Sequence, residues 1–207
     1  MELKRVVITG LGAITPLGND VTTTWENAIK GVSGAGPITH FDASLFKTQF
    51  ACEVKGFNAA DHFDRKKLRQ LDLYAQYAIV AARQAVEDSG IEKEENLNRN
   101  RVGVIVAAGI GGLHTFEEEA GYYAMNASTG PKYNPFFIPK MIADIASGHI
   151  SMEYAYHGPN FGVVSACASS NNAIIDAFNL IRLGKADVMV TGGAEAAVYP
   201  AGVGGFN

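Results

Sequence analysis

The apolar, β-branched run Val102 to Ala107, closed by glycines at 109, 111 and 112, limits the possible folds of this chain more than any other stretch. A strand without polar alternation has to be covered on both faces, which is the situation of a central strand in a parallel sheet flanked by helices. The surrounding residues agree with that setting. Arg5 to Thr9 reads as a first buried strand, followed by glycines, Pro16 and a helix at about Val21 to Lys30. Between Lys66 and Ser89, Leu68, Leu71, Tyr74, Ala75, Ala78, Ile79, Ala82 and Val86 recur near helical period, which predicts one long core-facing helix ended by Gly90. A third strand leads into Cys167. The helix after it repeats Ala173, Ile174, Ala177, Phe178 and Ile181 on one face and stops near Gly184, and Val188 to Thr191 begins another strand. Strands alternating with helices predict a layered α/β domain. No internal repeat or low-complexity linker divides the chain.

Composition narrows the function classes. With 207 residues, 47% hydrophobic and 18% charged, the chain can bury a sizeable core and is not a disordered segment. No apolar run approaches the roughly 18 residues that span a bilayer, and the N-terminus lacks a signal peptide's apolar region, so a cytoplasmic protein is expected. A net charge of −4, without a basic stripe interleaved with aromatics, gives no support to nucleic-acid binding. Two cysteines do not make a disulfide framework, and Cys52, within the strand-like Gln49 to Val54, reads as structural.

The other cysteine has a different setting. The run Val163 Val164 Ser165 Ala166 Cys167 Ala168 Ser169 Ser170 changes from strand-like to helix-like at Cys167, the layout of a nucleophile elbow. A helix N-terminus favours a nearby anion, and the thiolate is the reactive form of cysteine. The small neighbours would let a substrate carbonyl approach the sulfur and the adjacent amides, which form half of an oxyanion hole. Cys167 is therefore the candidate nucleophile. On local pattern alone, packing between strand and helix is the simpler alternative, since cysteine is among the most often buried residues.

Other motifs carry less. Gly10 Leu11 Gly12 Ala13 Ile14 Thr15 follows an apolar run but has Thr15 at the third glycine position of a dinucleotide fingerprint, and no acidic residue ends a second strand. Histidines 40, 62, 114, 149 and 157 lack metal-ligand spacing, so neither a metal nor a cofactor is expected, and His149 reads as a hydrogen-bonded core residue. Arg65, Lys66, Lys67 and Arg69 cluster in an acidic chain, with Lys132 as a possible addition. Cations near a helix N-terminus do not stabilise the helix, so the cluster is either a solvated helix start or a docking patch for an acidic partner.

The segment VVSACASSNNAIIDAFNLIRLGKADVMVTGGAEA resembles the active-site region of β-ketoacyl-acyl carrier protein synthases, closest to the synthase II type. The opening VVITGLGAITPLGND, RQLDLYAQYAI, GIGGL at 109 to 113 and NPFFIPKMIADIASGHIS at 134 to 151 extend the resemblance over essentially the whole chain. It implies a thiolase-like layered α/β fold, with residues 1–207 as the first of two similar halves, the N-terminal β-ketoacyl synthase domain. The ending Gly204 Gly205 Phe206 Asn207 carries no stop signal, and a shortened or incompletely traced protein is expected. The implied chemistry is acyl transfer from acyl carrier protein to Cys167 as a thioester, then decarboxylative condensation with malonyl carrier protein in fatty acid synthesis. The family's catalytic histidines, lysine and second oxyanion N–H belong to motifs absent here, so these residues alone should not condense substrates. Ile110 and Phe206 match acyl-pocket positions, and either Phe136 or Phe137 matches one that reaches across a homodimer interface; ordinary core packing is the alternative for all four. The acidic carrier docks in the region of Arg65, Lys66, Lys67 and Arg69, with Lys132 added. A polyketide ketosynthase, or a non-catalytic carrier-binding or dimerisation module, is the alternative reading of the whole.

Overall fold

The computed structural model describes residues 3–207. In chain order the helices are α1 (Val21–Ile29), α2 (Arg65–Leu68), α3 (Leu73–Ser89), α4 (Leu113–Asn126), α5 (Phe137–Met141), α6 (Ile145–Tyr154), α7 (Ser169–Arg182) and α8 (Pro200–Phe206). The strands are β1 (Gly36–Pro37), β2 (Phe50–Ala51), β3 (Val102–Ala107), β4 (Asn160–Phe161) and β5 (Val188–Gly193). A small antiparallel pair joins β1 to β2, and the main sheet is parallel in the order β4-β3-β5.

Every residue of β3 is buried, as its continuous apolar run predicts. Successive side chains alternate between faces. Val102, Val104 and Val106 join Tyr74, Ile79 and Ile150 on the α3 and α6 side, whereas Ile105 and Ala107 meet Ala173 and Ala177 of α7 on the other. Each fully buried valine or isoleucine contributes about 1.5–3 kcal/mol, so this strand is the centre of the domain's stability. The β5 ladder runs in register from Val102↔Val188 to Ala107↔Gly193.

On the opposite edge the ladder is short, covering only Val104↔Asn160 and Ile105↔Phe161. It ends where α6 inserts a side chain: fully buried Ser147 accepts from the Val106 amide at 2.8 Å and donates to the Phe161 carbonyl at 3.1 Å through the same hydroxyl. Those backbone groups stay paired, as burial requires, without a longer strand. The expected third strand is therefore only Asn160–Phe161, and Val163 and Val164 leave the sheet on the way to Cys167, with Val164 exposed.

Two further expectations are corrected. Arg5 to Thr9 forms no strand, and Val7 and Ile8 are 58% and 82% exposed. Residues around it are held by side chains and by close approach to α3: the Leu11 and Ala13 amides donate to Asp88 and Gln84, and a Cβ on Gly12 would lie 1.8 Å from the Ala81 carbonyl oxygen. The Gly10 and Gly12 pair thus serves helix contact, consistent with rejecting a nucleotide motif there. β-branched periodicity reports a preference for extended backbone but not whether a neighbouring strand pairs with it. The long helix expected over 66–89 is also two pieces. Asp64 caps α2 by accepting from the Lys67 amide at 2.7 Å, and Asp72, in extended backbone, caps α3. Two Asp caps outweigh the apolar periodicity because each satisfies amides that a helix start leaves unpaired. Gly90 ends α3 in the left-handed conformation at φ 67°, as expected.

Candidate active site

The elbow around Cys167 is built mainly from its own sequence neighbours. Ala166 takes φ +51°, and a 3₁₀ turn over Ala166–Ala168 leads directly into α7. Left-handed backbone costs an L-residue on the order of 1–2 kcal/mol, so the turn has to be held in place. Ser169, only 4% exposed, holds it: its hydroxyl accepts from the Ser165 amide at 2.8 Å and donates to the Ala166 carbonyl at 2.7 Å. Asn172 adds a 2.7 Å bond from its side-chain amide to the Ser165 hydroxyl. The serines after the cysteine are thus not merely small. Cys167 sits in the middle of the turn, exposed and with a free thiol.

The thiol opens into a cleft of about 360 Å³ whose walls include Gly109, Ile110, Ser170, Glu195 and Phe206. The start of α7 lies so close to the end of β5 that a Cβ on Gly193 would be 2.0 Å from the Ser170 hydroxyl oxygen. Opposite the elbow, the turn before α4 carries Ile110. The Glu195 carboxylate accepts from the Ile110 amide at 2.8 Å and from the Gly111 amide at 3.2 Å. Helix α4 has no local side-chain cap at Gly112. Buried Asp72 supplies one from α3, accepting from the Thr115 amide at 3.1 Å and its hydroxyl at 2.6 Å. Asn172, Gly193, Asp72 and Glu195 were not singled out in the sequence, and Ser169 only as a small neighbour of the cysteine. Only Ser169 and Asn172, which bond groups three to seven residues back along the chain, offered a local signal, that of small polar residues beside a helix start.

Cys167, Ile110 and Phe206 are therefore brought together. Phe136 and Phe137 are not part of this cleft. Phe137 opens α5 and stacks on Tyr133 at 5.3 Å and Phe116 at 6.4 Å, and Phe136 precedes it, half-exposed. Their helix packs against α4, and at its end the Met141 carbonyl accepts from the Gly112 amide. Arg65, Lys66 and Arg69 are exposed at α2, and among the described residues none of them is in an ion pair. Lys67 differs: its ammonium donates to Nδ1 of His149 at 3.0 Å. Burial and the neighbouring Lys67 charge push the His149 pKa down to about 4, so it is a neutral core acceptor, in line with its reading as structural. Lys132 lies elsewhere, in a cleft with Glu117, Glu118 and Glu119. Cys52 is exposed just past β2, where it lines another cleft of about 270 Å³. Among the described residues no three of His, Cys, Asp or Glu gather into a metal site, and no helix is long and apolar enough to cross a membrane.

A parallel α/β layer whose edge strand runs through a short loop and a left-handed residue into a helix, with a free thiol in the turn, defines an α/β protein with a nucleophile elbow. Within that class the chain belongs to the β-ketoacyl synthase family, since residues 3–207 match the family's "Beta-ketoacyl synthase, N-terminal domain". It is 46% identical over 205 residues to 3-oxoacyl-[acyl-carrier-protein] synthase 2 of Staphylococcus aureus (strain COL), covering 99% of this chain and 49% of that protein. Against the same enzyme of Coxiella burnetii (strain RSA 493 / Nine Mile phase I) it is 47% identical over 206 residues, covering 100% and 49%. The ishigamide ketosynthase/chain length factor superposes with a TM-score of 0.86 at 30% identity, covering 97% of this chain and 49% of that one. A ketosynthase solved with its type II polyketide acyl-carrier protein gives a TM-score of 0.81 at 25% identity, covering 98% and 54%. The fold is thiolase-like, and the chain spans about half the length of the relatives it matches.

Proposed function

We propose that residues 1–207 are the N-terminal domain of a 3-oxoacyl-acyl carrier protein synthase II of fatty acid biosynthesis, acting in the cytoplasm as a homodimer. The observation that carries this reading is Cys167 on a held, left-handed elbow facing a cleft shared with Ile110 and Phe206. The Cys167 thiolate attacks the thioester carbonyl of an acyl carrier protein, a tetrahedral oxyanion forms beside the elbow amides, and the carrier thiolate leaves. Malonyl carrier protein then loses carbon dioxide, its carbanion forms the new carbon–carbon bond at the acyl carbonyl, and the Cys167 thiolate is released. The chain grows by two carbons. Each buried methylene of the acyl group contributes about 0.8 kcal/mol, so an apolar cleft suits an alkyl substrate. Arg65, Lys66 and Arg69 form the docking patch for the acidic carrier, with Lys67 and Lys132 contributing charge but held or placed differently. The second half of the family's catalytic set lies outside these residues, so this stretch alone accepts an acyl group without condensing it.

Peptide-mapped mass spectrometry after incubation with long-chain acyl carrier protein tests the reading. Because Cys52 and Cys167 are both exposed, a thioester at Cys167 alone reflects activation at the elbow and not accessibility. Equal labelling of both, or labelling of neither in the full natural protein, would overturn it. The polyketide ketosynthase alternative draws on the solved neighbours, at 25–30% identity, and weighs less than the 46–47% identity to the fatty acid enzymes. Release of a poly-β-ketone from the natural protein would favour that alternative.

A further inference from the structure

Ile110 is 45% exposed in the cleft wall, and its place there depends on the main chain beneath it. That main chain is a run of glycines, Gly109, Gly111 and Gly112, which resists bending only as far as something holds it. Below, the Gly112 amide donates to the Met141 carbonyl at 3.0 Å. Above, a single carboxylate, Glu195, takes the successive amides of Ile110 and Gly111 at 2.8 and 3.2 Å. Gly109 makes room for it, since a Cβ there would lie 3.0 Å from Glu195 Oε2 and 3.6 Å from the Ala166 carbonyl oxygen. Glu195 therefore sits at the seam between the Ile110 turn and the Cys167 elbow, just beyond β5, whose last residue Gly193 meets Ser170 of α7. Among the described residues it is also the only acidic one lining the thiol's cleft.

We propose that Glu195 is a positioning residue for acyl-chain selection, setting how far Ile110 stands from Cys167 and hence where an alkyl chain meets the wall. The proposal rests on the ketosynthase reading of the cleft and adds a determinant to it. Glu195 takes no proton and touches no reacting atom in this role. Removing the carboxylate frees two adjacent amides in a glycine-rich turn, and a wall that moves discriminates chain lengths poorly.

The test compares wild type, Glu195→Ala and Glu195→Gln in the full natural protein. One readout is Cys167 acylation by carrier proteins loaded with short, medium and long acyl groups, as ratios of kcat/KM between chain lengths. The ratio cancels any uniform loss of activity. Apolar pockets separate chains differing by one methylene roughly 10–200-fold, and Glu195→Ala should reduce the ratio of best to worst chain by about fivefold or more, with Glu195→Gln, which keeps one carbonyl acceptor, in between. The second readout is amide hydrogen exchange at Ile110 and Gly111, whose protection should fall about tenfold in Glu195→Ala while that of β3 holds. Unchanged ratios overturn the role in selection, and unchanged protection overturns the positioning. If wild type itself is not acylated at Cys167, the ketosynthase reading fails; if wild type is acylated and the variants match it, only the role of Glu195 fails.

Discussion

The two walls of the Cys167 cleft are held in opposite ways. The elbow is secured by Ser169 and Asn172, which bond to groups within seven residues along the chain. The Ile110 turn is secured by Glu195, 85 residues away from it, and helix α4 behind it by Asp72, 43 residues away. The Cys167 elbow is thus placed by local chain geometry, whereas the Ile110 wall is placed by carboxylates that reach it from just beyond β5 and from the start of α3. In such a site the chemistry is insulated from distant change and the selectivity is exposed to it. The basic cluster at α2 follows the second pattern, with Lys67 and His149 paired across 82 residues.

The largest effect expected is at the nucleophile. Cys167→Ala should abolish acyl transfer, a loss of at least about 10³-fold, with no thioester in the mapped peptides, whereas Cys52→Ser should leave labelling of Cys167 intact. An active Cys167→Ala protein would break the comparison at its root.

Next is the pH dependence of the remote pair. The folded-state pKa of His149, about 4, lies below the ordinary value of 6.5. The unfolded chain therefore binds the proton first, and stability is lost as pH falls from about 6.5 toward 4, by up to about 3 kcal/mol. Urea unfolding at pH 7 and pH 5 should show that loss in wild type and much less of it in His149→Gln. Equal pH dependence in both would detach the pair from the stability of the fold.

A smaller effect is expected at the elbow's own clasp. Ser169→Ala leaves the Ser165 amide and Ala166 carbonyl without their partner, a loss of about 1–3 kcal/mol where such groups are buried. The cleft's reactivity should follow: Cys167 acylation slows for all chain lengths alike, in contrast to Glu195→Ala. A length-selective defect in Ser169→Ala would merge the two walls into one device.

The smallest is at the docking patch. Charge reversal at Lys66 and Arg69 should raise KM for carrier-bound substrate roughly tenfold with kcat held, because rim charges act mainly on encounter. Lys67→Met should change KM less than either and alter stability instead, since its ammonium faces His149.

How much of this could be read in advance follows from the same division. β3, Gly90, the helix after Cys167 and the elbow itself are written in residue types a few positions apart, so periodicity and turn chemistry reveal them. His149 as a core acceptor was legible from its place on an apolar helical face. The break at Asp72 is masked because the apolar period continues across it from Leu68 and Leu71 to Tyr74 and Ala75, although Asp is a preferred helix N-cap. The first strand was overcalled for the related reason that extended propensity in Val6 to Ile8 does not supply a pairing partner, and Ser147 at the β3–β4 edge shows a side chain completing what a strand was expected to complete.

By itself, the sequence determined the alternation of strand and helix, the buried centre of the sheet and the cysteine at the elbow, because these depend on backbone preference and hydrophobic period over a few residues. Only the tertiary structure decided which carboxylates hold the Ile110 turn and α4, which lysine of the basic cluster bonds the buried His149, and where the sheet stops. Those outcomes depend on which distant groups meet when the core closes, and on the requirement that every buried amide and carbonyl find a partner once water is excluded.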